Sequence, residues 1–421
     1  MIPDHQERRG SRLPVAVYIL GAAIFAQGTS ELMLAGLLPE IAVDLGVGVP
    51  QAGLLISGFA LGMLIGAPIL AILTVRWPRR LTMVGFLGVF ILSHIAGALA
   101  PSYGVLLATR FVGAFVYAGF WAVGGSTVLS VVAPDKRGRA MGIFAGGLTV
   151  ATVIGLPAGT WLGQQLGWRG AFWAVALITI IAAVAVLVKV PRLAVGDAPR
   201  MRTEVAAMRN GRLWLSYALT ATSIAAVLGT FSYLGAMVLD AGLAPELVPL
   251  VMLGYGIGAL VGMTVGGRAA DTRPMAILVA SFAGVAVLSV LLGVAAGHPA
   301  WLGVLASLLG LAGFASNPAL NSRVFEIAPE ASRLSVAGNI SAFNAGISLG
   351  PWLAGLALTA GAGFAAVPTI GAALAALALL LLGVEAAARR RASARRSPQM
   401  TPRAIIASAT CRNEDTFAPR T

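Results

Sequence analysis

The chain has 421 residues, of which 58% are hydrophobic, only 11% are charged and 52 are glycine; this composition belongs to a chain whose solvent is lipid and excludes a water-soluble protein. A formal net charge of +13 would point to nucleic acid in a soluble protein, but the basic residues stand between apolar blocks or in the tails, where they report topology. The single cysteine, Cys411, excludes an intramolecular disulfide and a cysteine-based metal site.

Residues 1–13 are polar and the apolar block after them is too long for the core of a cleavable signal, so the first span is expected to remain in the mature protein. Apolar stretches of about 20 residues, the length that crosses roughly 30 Å of hydrocarbon as a helix, recur at 14–38, 52–75, 81–100, 104–132, 140–164 and 171–190. After the polar segment Pro191–Arg212, six more follow at 213–239, 247–267, 275–296, 300–323, 335–360 and 364–384. The expected fold is therefore all-α and integral to the membrane, with twelve transmembrane helices. It divides into a tail at 1–13, a six-helix bundle at 14–190, a linker at 191–212, a second six-helix bundle at 213–385 and a basic, disordered tail at 386–421.

The connections alternate in charge. Arg76, Arg79 and Arg80 follow span two, Lys136, Arg137 and Arg139 follow span four, and Arg268 and Arg273 follow span eight. The loops on the opposite side carry one basic residue, Arg169, after span five. An excess of Lys and Arg marks cytoplasmic loops, so both termini and the linker are expected in the cytoplasm of a bacterial cell. The tail arginines Arg389, Arg390, Arg391, Arg395 and Arg396 read as part of the same signal, touching anionic lipid rather than nucleic acid.

An internal repeat is visible. Gly58, Gly62 and Gly66 of span two recur 196 residues later as Gly254, Gly258 and Gly262 of span eight. Two parallel six-helix pseudo-repeats follow, an architecture that places a substrate site near the bilayer midplane between halves that rock about it. Small residues also recur every fourth position in span five (Gly147, Ala151, Gly155, Gly159, Gly163) and span eleven (Gly338, Ala342, Gly346, Gly350, Ala354). Such stripes let backbones approach closely; in these spans they are expected to form the sliding contact between the halves, with bends at Pro157 and Pro351.

Several motifs resemble the major facilitator superfamily, specifically its twelve-span drug:proton antiporters, over residues 14 to about 385. The turn Gly267-Arg268-Ala269-Ala270-Asp271-Thr272-Arg273-Pro274 is similar to the superfamily's cytoplasmic motif, which contributes to a charge network that latches one conformation; the first-half counterpart keeps Arg76, Arg79 and Arg80 but has Val75 where the acid belongs. Arg110 in Leu107-Ala108-Thr109-Arg110 resembles the motif whose intramembrane arginine is associated with proton coupling. Gly155-Leu156-Pro157-Ala158-Gly159 is similar to the exporter motif. Phe25-Ala26-Gln27-Gly28-Thr29-Ser30-Glu31, Ala35-Gly36-Leu37-Leu38-Pro39, Arg76-Trp77-Pro78-Arg79-Arg80 and Gly167-Trp168-Arg169 together look like the bacterial chloramphenicol-resistance exporters. The resemblance implies a proton-driven exporter of a small drug, with efflux of sugars or other small metabolites as the alternative.

Glu31 and Arg110 are the acid and the base that fall well inside spans. At 1.5 Å per residue both come to about 10 Å below the same surface, where a lone charge is costly and must face a partner or a wet cavity. Burial and a nearby guanidinium pull a carboxylate's proton affinity in opposite directions. A motion that alters both would make Glu31 the proton-coupling carboxylate, with Arg110, which stays charged, tuning it. Gln27, Tyr117, Tyr233, Asn317 and Asn321 are the candidate polar contacts of an otherwise apolar drug cavity, the two asparagines sharing a helix face. His94, alone in span three, reads as a hydrogen-bonded buried histidine.

No phosphate-binding loop occurs in the sequence and no cofactor is expected, the proton gradient being the energy source. Three histidines and one cysteine offer neither a catalytic nor a metal constellation, and the longest internal loop, about 22 residues, is too short for an appended domain. The expected partners are a small-molecule drug, protons and the bilayer, with the protein a monomer. A reporter active only in the cytoplasm should therefore work when fused after residue 385 or inserted near Gly196; periplasmic activity at either point would overturn the twelve-span topology.

Overall fold

A computed structural model describes residues 13–192, 209–328 and 332–396, with backbone alone for 332–334 and 388–396. Most of the 1–13 tail, the larger part of the 191–212 linker including Gly196, and the end of the 386–421 tail with Cys411 lie outside the described residues. Twelve helices are long and apolar enough to cross a membrane: α1 (Val15–Leu45), α2 (Val49–Leu73), α3 (Arg79–Ala98), α4 (Tyr103–Val131), α5 (Pro134–Leu166), α6 (Trp168–Lys189), α7 (Gly211–Ser232), α8 (Pro245–Thr272), α9 (Pro274–Val294), α10 (Pro299–Ile327), α11 (Ser335–Thr359) and α12 (Ala366–Ala387). Among the described residues there is no strand. From Leu380 on the chain forms a separate unit, in which the helix continues to Arg396.

Several helices outrun their apolar blocks, because a backbone hydrogen-bond ladder does not stop where hydropathy falls. α1 passes Pro39 and ends at Leu45, capped by Gly46 with φ 63°, the left-handed conformation that glycine adopts without cost. Glu31 therefore sits sixteen residues after Val15 and fourteen before Leu45, close to the middle of its helix. Two spans are interrupted. In α10 Ser316 separates Pro299–Ala315 from Asn317–Ile327, where Pro318 has no N–H to offer the ladder. In α5 a π turn at Ala151–Gly155 precedes Pro157, a wide turn of the kind that absorbs such a break.

Glycine decides which helices pair. A Cβ on Gly62 or Gly66 would collide with the carbonyls of Phe111 and Phe115, and one on Gly258, Gly262 or Gly266 with those of Ser307, Leu311 and Ala315. So α2 lies backbone to backbone on α4, and α8 on α10, the same contact in both halves. The stripes of α5 and α11 also pack closely, but against a different partner from the one expected. Gly147, Gly155, Gly159 and Gly163 face Gly21, Thr29, Met33 and Leu37 of α1, and Gly346 and Gly350 face α7 at Ala221 and Ala225. These stripes pack inside each half, and the expectation of a sliding contact between halves is corrected. The reason is geometric: a helix face without side chains leaves room for a neighbour's backbone, as at Gly147, Gly346 and Gly350, or for its side chains, as at Gly155, Gly159 and Gly163, and the nearest neighbour is a helix of the same half.

The halves meet on other faces of the same helices, α2 on α11 and α5 on α8. Ser57 and Ser348 each donate a hydroxyl to the other's carbonyl, at 2.9 and 3.2 Å. Gln164 donates to the Pro245 carbonyl at 2.8 Å. Both links lie toward the side poor in basic residues.

The backbone collisions make a direct test. Gly258→Ala should lower the detergent-solubilised protein's melting temperature, corresponding to about 1–3 kcal/mol of overpacking, whereas Gly267→Ala, with no atom near its added Cβ, should leave it unchanged or higher. Equal effects would refute the interlocked α8–α10 contact.

Candidate functional site

α1 and α7 are the most enclosed spans, 67% and 72% buried over their most apolar stretch, and the polar residues of α1 are thus held at the centre. Gln27 and Glu31, four apart, share a face. Gln27 donates from Nε2 to the Ala23 carbonyl at 3.1 Å, and its buried Oε1 has no partner. Glu31 is partly exposed and lines a small cavity with Leu32 of α1, Ile56 and Phe59 of α2, Phe231 of α7 and Ile347 of α11. The cavity therefore draws on both halves, and its volume of about 10 Å³ is near the space of one water, far below the few hundred that a drug needs.

Arg110, 2% exposed, does not reach the Glu31 carboxylate. Among the described residues Asp44–Arg169 is the ion pair, while Arg110 and Glu31 act on each other only through space. Arg110 donates from Nη1 to Ser30 Oγ at 2.6 Å and from Nη2 to the Ser30 carbonyl at 3.1 Å. Its guanidinium lies over the Phe59 ring, 4.2 Å from the centroid, where the ring quadrupole attracts a cation. Ser30 Oγ is also 2.6 Å from His94 Nε2, and His94 Nδ1 is 2.8 Å from the Phe90 carbonyl. A buried chain thus runs from Arg110 of α4 through Ser30 of α1 to His94 and Phe90 of α3. The Tyr117 hydroxyl is buried, closes no hydrogen bond of normal length, and faces Glu31 and the Trp121 indole.

The remaining candidates separate. Tyr233, which directly follows α7, is fully buried and its hydroxyl lies 3.3 Å from the Pro50 carbonyl and 3.2 Å from that of Pro351. A side chain that ties the start of α2 to α11 is part of the seam between halves in this structure and does not line the small cavity at Glu31. Asn321 donates to the Asn317 carbonyl at 3.0 Å and accepts from Asn339 of α11 at 2.8 Å; Asn339 in turn accepts from Thr220 of α7 at 2.9 Å. Asn321 is engaged in holding α7, α10 and α11 together. Asn317, at the α10 break, keeps a buried Oδ1 without a partner.

Of the motif residues, Arg79 donates from Nη1 to the Ser126 carbonyl at 3.3 Å and to Ser130 Oγ at 3.0 Å, closing the end of α4. Arg76, Asp271 and Arg273 are exposed, and Asp271 enters no ion pair among the described residues. Arg80 is half-buried and its Nε lacks a partner. Arg169, the arginine on the side otherwise free of Lys and Arg, pairs with Asp44, stacks on Trp168 at 4.3 Å and donates to the Ala100 carbonyl at 3.1 Å. Sequence reasoning did not single out Ser30, Asp44 or Asn339, and it set His94 aside. Ser30 stood next to Glu31 in a quoted motif, but nothing in the sequence signals which helix its hydroxyl meets.

The family model of the Major Facilitator Superfamily matches residues 20–351. A chloramphenicol resistance protein of Streptomyces lividans is 40% identical over 351 residues, covering 82% of this chain and 90% of that protein. The uncharacterised MFS-type transporter YtbD of Bacillus subtilis is 36% identical, with 89% and 95% covered. The inner membrane transport protein YdhP of Escherichia coli K12 is 32% identical, with 89% and 96% covered. Among solved structures, a bacterial homologue of the human lysosomal transporter Spinster, in an inward-facing and unoccupied conformation, aligns with a TM-score of 0.66 at 18% identity, over 89% of this chain and 94% of that one. The twelve-helix fold with a buried charge site is that of a multi-pass membrane transporter, and the chain belongs to the Major Facilitator Superfamily.

The seam between halves can be caught chemically. With Cys411→Ser as background, Ser57→Cys and Ser348→Cys together should cross-link in membranes under mild oxidation or a short bifunctional reagent, and the linked protein should stop transporting. Failure to cross-link in the resting protein would mean that α2 and α11 are apart there.

Proposed function

We propose that the protein is a proton-coupled antiporter that exports a small amphipathic antibiotic, chloramphenicol first among candidates, across the bacterial cytoplasmic membrane by alternating access, with both termini in the cytoplasm. The observation that carries this reading is the state of Glu31: a carboxylate reachable from a cavity between the halves, while the neighbouring guanidinium is held on Ser30 and leaves that carboxylate free to exchange a proton. The 40%-identical chloramphenicol resistance protein supports the substrate.

In this reading the contacts at Ser57, Ser348 and Tyr233 close the outer side. Glu31 then exchanges with the cytoplasm, and rocking of the halves presents it to the outside. An ionised carboxylate among Ile56, Phe59, Phe231 and Ile347 is costly to carry through that motion. A bound proton removes the cost, and so does a hydrogen-bonding drug hydroxyl, which makes the two ligands alternatives. One charge moving through 100 mV yields about 2.3 kcal/mol, equivalent to a roughly 50-fold concentration ratio of drug.

Expression in a drug-sensitive bacterium should raise the inhibitory concentration of chloramphenicol and leave the drug unmodified, and an uncoupler should restore its accumulation. Glu31→Gln keeps the shape and hydrogen bonding of the side chain but cannot titrate, so it should abolish gradient-driven export at unchanged protein levels. Unchanged resistance with measurable sugar efflux would move the substrate to the metabolite class. Export by Glu31→Gln at the wild-type rate would remove Glu31 from the coupling.

A further inference from the structure

We propose that His94 is a positioning residue for Arg110. As a neutral ring with its proton on Nδ1, it accepts a hydrogen bond from the Ser30 hydroxyl and so turns the Ser30 oxygen into an acceptor aimed at the guanidinium. The donors and acceptors leave one self-consistent arrangement. The Phe90 carbonyl, 2.8 Å from Nδ1, can only accept, so Nδ1 carries a proton. Arg110 Nη1, 2.6 Å from Ser30 Oγ, can only donate, so Oγ accepts there. The Ser30 proton then goes to His94 Nε2 at 2.6 Å, which must be bare. A doubly protonated ring would aim two cationic donors at one hydroxyl oxygen and leave that hydroxyl's proton unplaced.

Two further observations point the same way. Gln27 and Thr29 each bond back to the carbonyl four residues earlier, Ala23 and Phe25, the usual resort of polar side chains in a buried helix. Ser30 makes no such bond and spends its proton on His94. The imidazole is also fixed, 3% exposed and packed against Phe90 with centroids 4.2 Å apart and against Phe172 at 5.5 Å.

The consequence deepens the transport reading and rests on it: Arg110 is parked on residue 30, one residue from Glu31, and competes with the proton for the carboxylate only through space, not by an ion-paired hydrogen bond. Without the His94 acceptor, the Ser30 hydroxyl turns to its own helix carbonyl and its oxygen is no longer aimed at Nη1, so Arg110 keeps only the bond to the Ser30 carbonyl and the guanidinium swings toward Glu31, where an ion pair opposes proton loading.

The first arm of the test needs no transport. Nitrogen-15 histidine NMR of the purified full-length protein, with the His94 signal assigned as the one lost in His94→Gln, should show a bare Nε2 and a protonated Nδ1. A proton on Nε2 at neutral pH, alone or with one on Nδ1, overturns the proposal.

The second arm measures chloramphenicol export. His94→Phe, which keeps the ring packing, and Ser30→Ala should each cut the maximal rate about tenfold with the drug KM within about twofold, the scale of a lost hydrogen bond to a charged group. The double variant should be no worse than either alone, and His94→Gln, whose amide oxygen reaches the Nε2 position, should recover most of the rate. Losses that multiply, or a His94→Gln as impaired as His94→Phe, overturn the proposal. If the wild type exports no chloramphenicol, the transport reading fails and the NMR result alone decides the His94 assignment.

Discussion

A guanidinium placed where a membrane protein has no bulk water has to find every compensation inside the fold, and Arg110 finds it on one serine, two aromatic faces and a carboxylate acting through space. The cost of an uncompensated charge at that depth amounts to at least a few kcal/mol, so α1, α3 and α4 are constrained to bring Ser30, His94 and Phe59 of the adjoining α2 to the same point. The depth of α1 in the bundle follows from the same requirement. Glu31 is left as the acidic residue of α1 that meets a cavity.

Around that centre there are two kinds of contact. Glycines meet carbonyls at the closest distances, within each half at α2–α4, α8–α10 and α7–α11, and across the halves where Gly256 faces the Thr152 carbonyl and Gly235 that of Ala35. Across the halves, hydroxyls and a carboxamide donate to carbonyls, Ser57 with Ser348, Tyr233 with Pro50 and Gln164 with Pro245, and Thr149 donates to the Met263 sulfur. Bonds of the second kind exchange for water at small net cost.

Ion pairing follows the same logic at the surface. Arg169 stands on the side that otherwise carries almost no basic residue, and Asp44, Trp168 and the Ala100 carbonyl occupy its fork. A partly exposed pair adds little stability by itself, but three partners from separate segments fix the end of α1 against α6.

Span number, repeat and helical class were legible in the residues, because hydrocarbon imposes one requirement on every crossing segment and the repeat shows as glycines 196 positions apart. That Glu31 and Arg110 lie deep in their spans was legible too, since charges are rare at such depth. Their relation was not: equal depth implied a pair, and the structure places Ser30 between them. The glycine stripes of α5 and α11 announced close packing without saying on what, and Tyr233, Asn321 and His94 carried no mark of the neighbours that define their roles. Periodicity and hydropathy are properties of one helix in its solvent, and the sequence by itself determined what depends on them. Hydrogen-bond partners at the centre depend on how each helix is rotated against three or four others, and that only the tertiary structure decided.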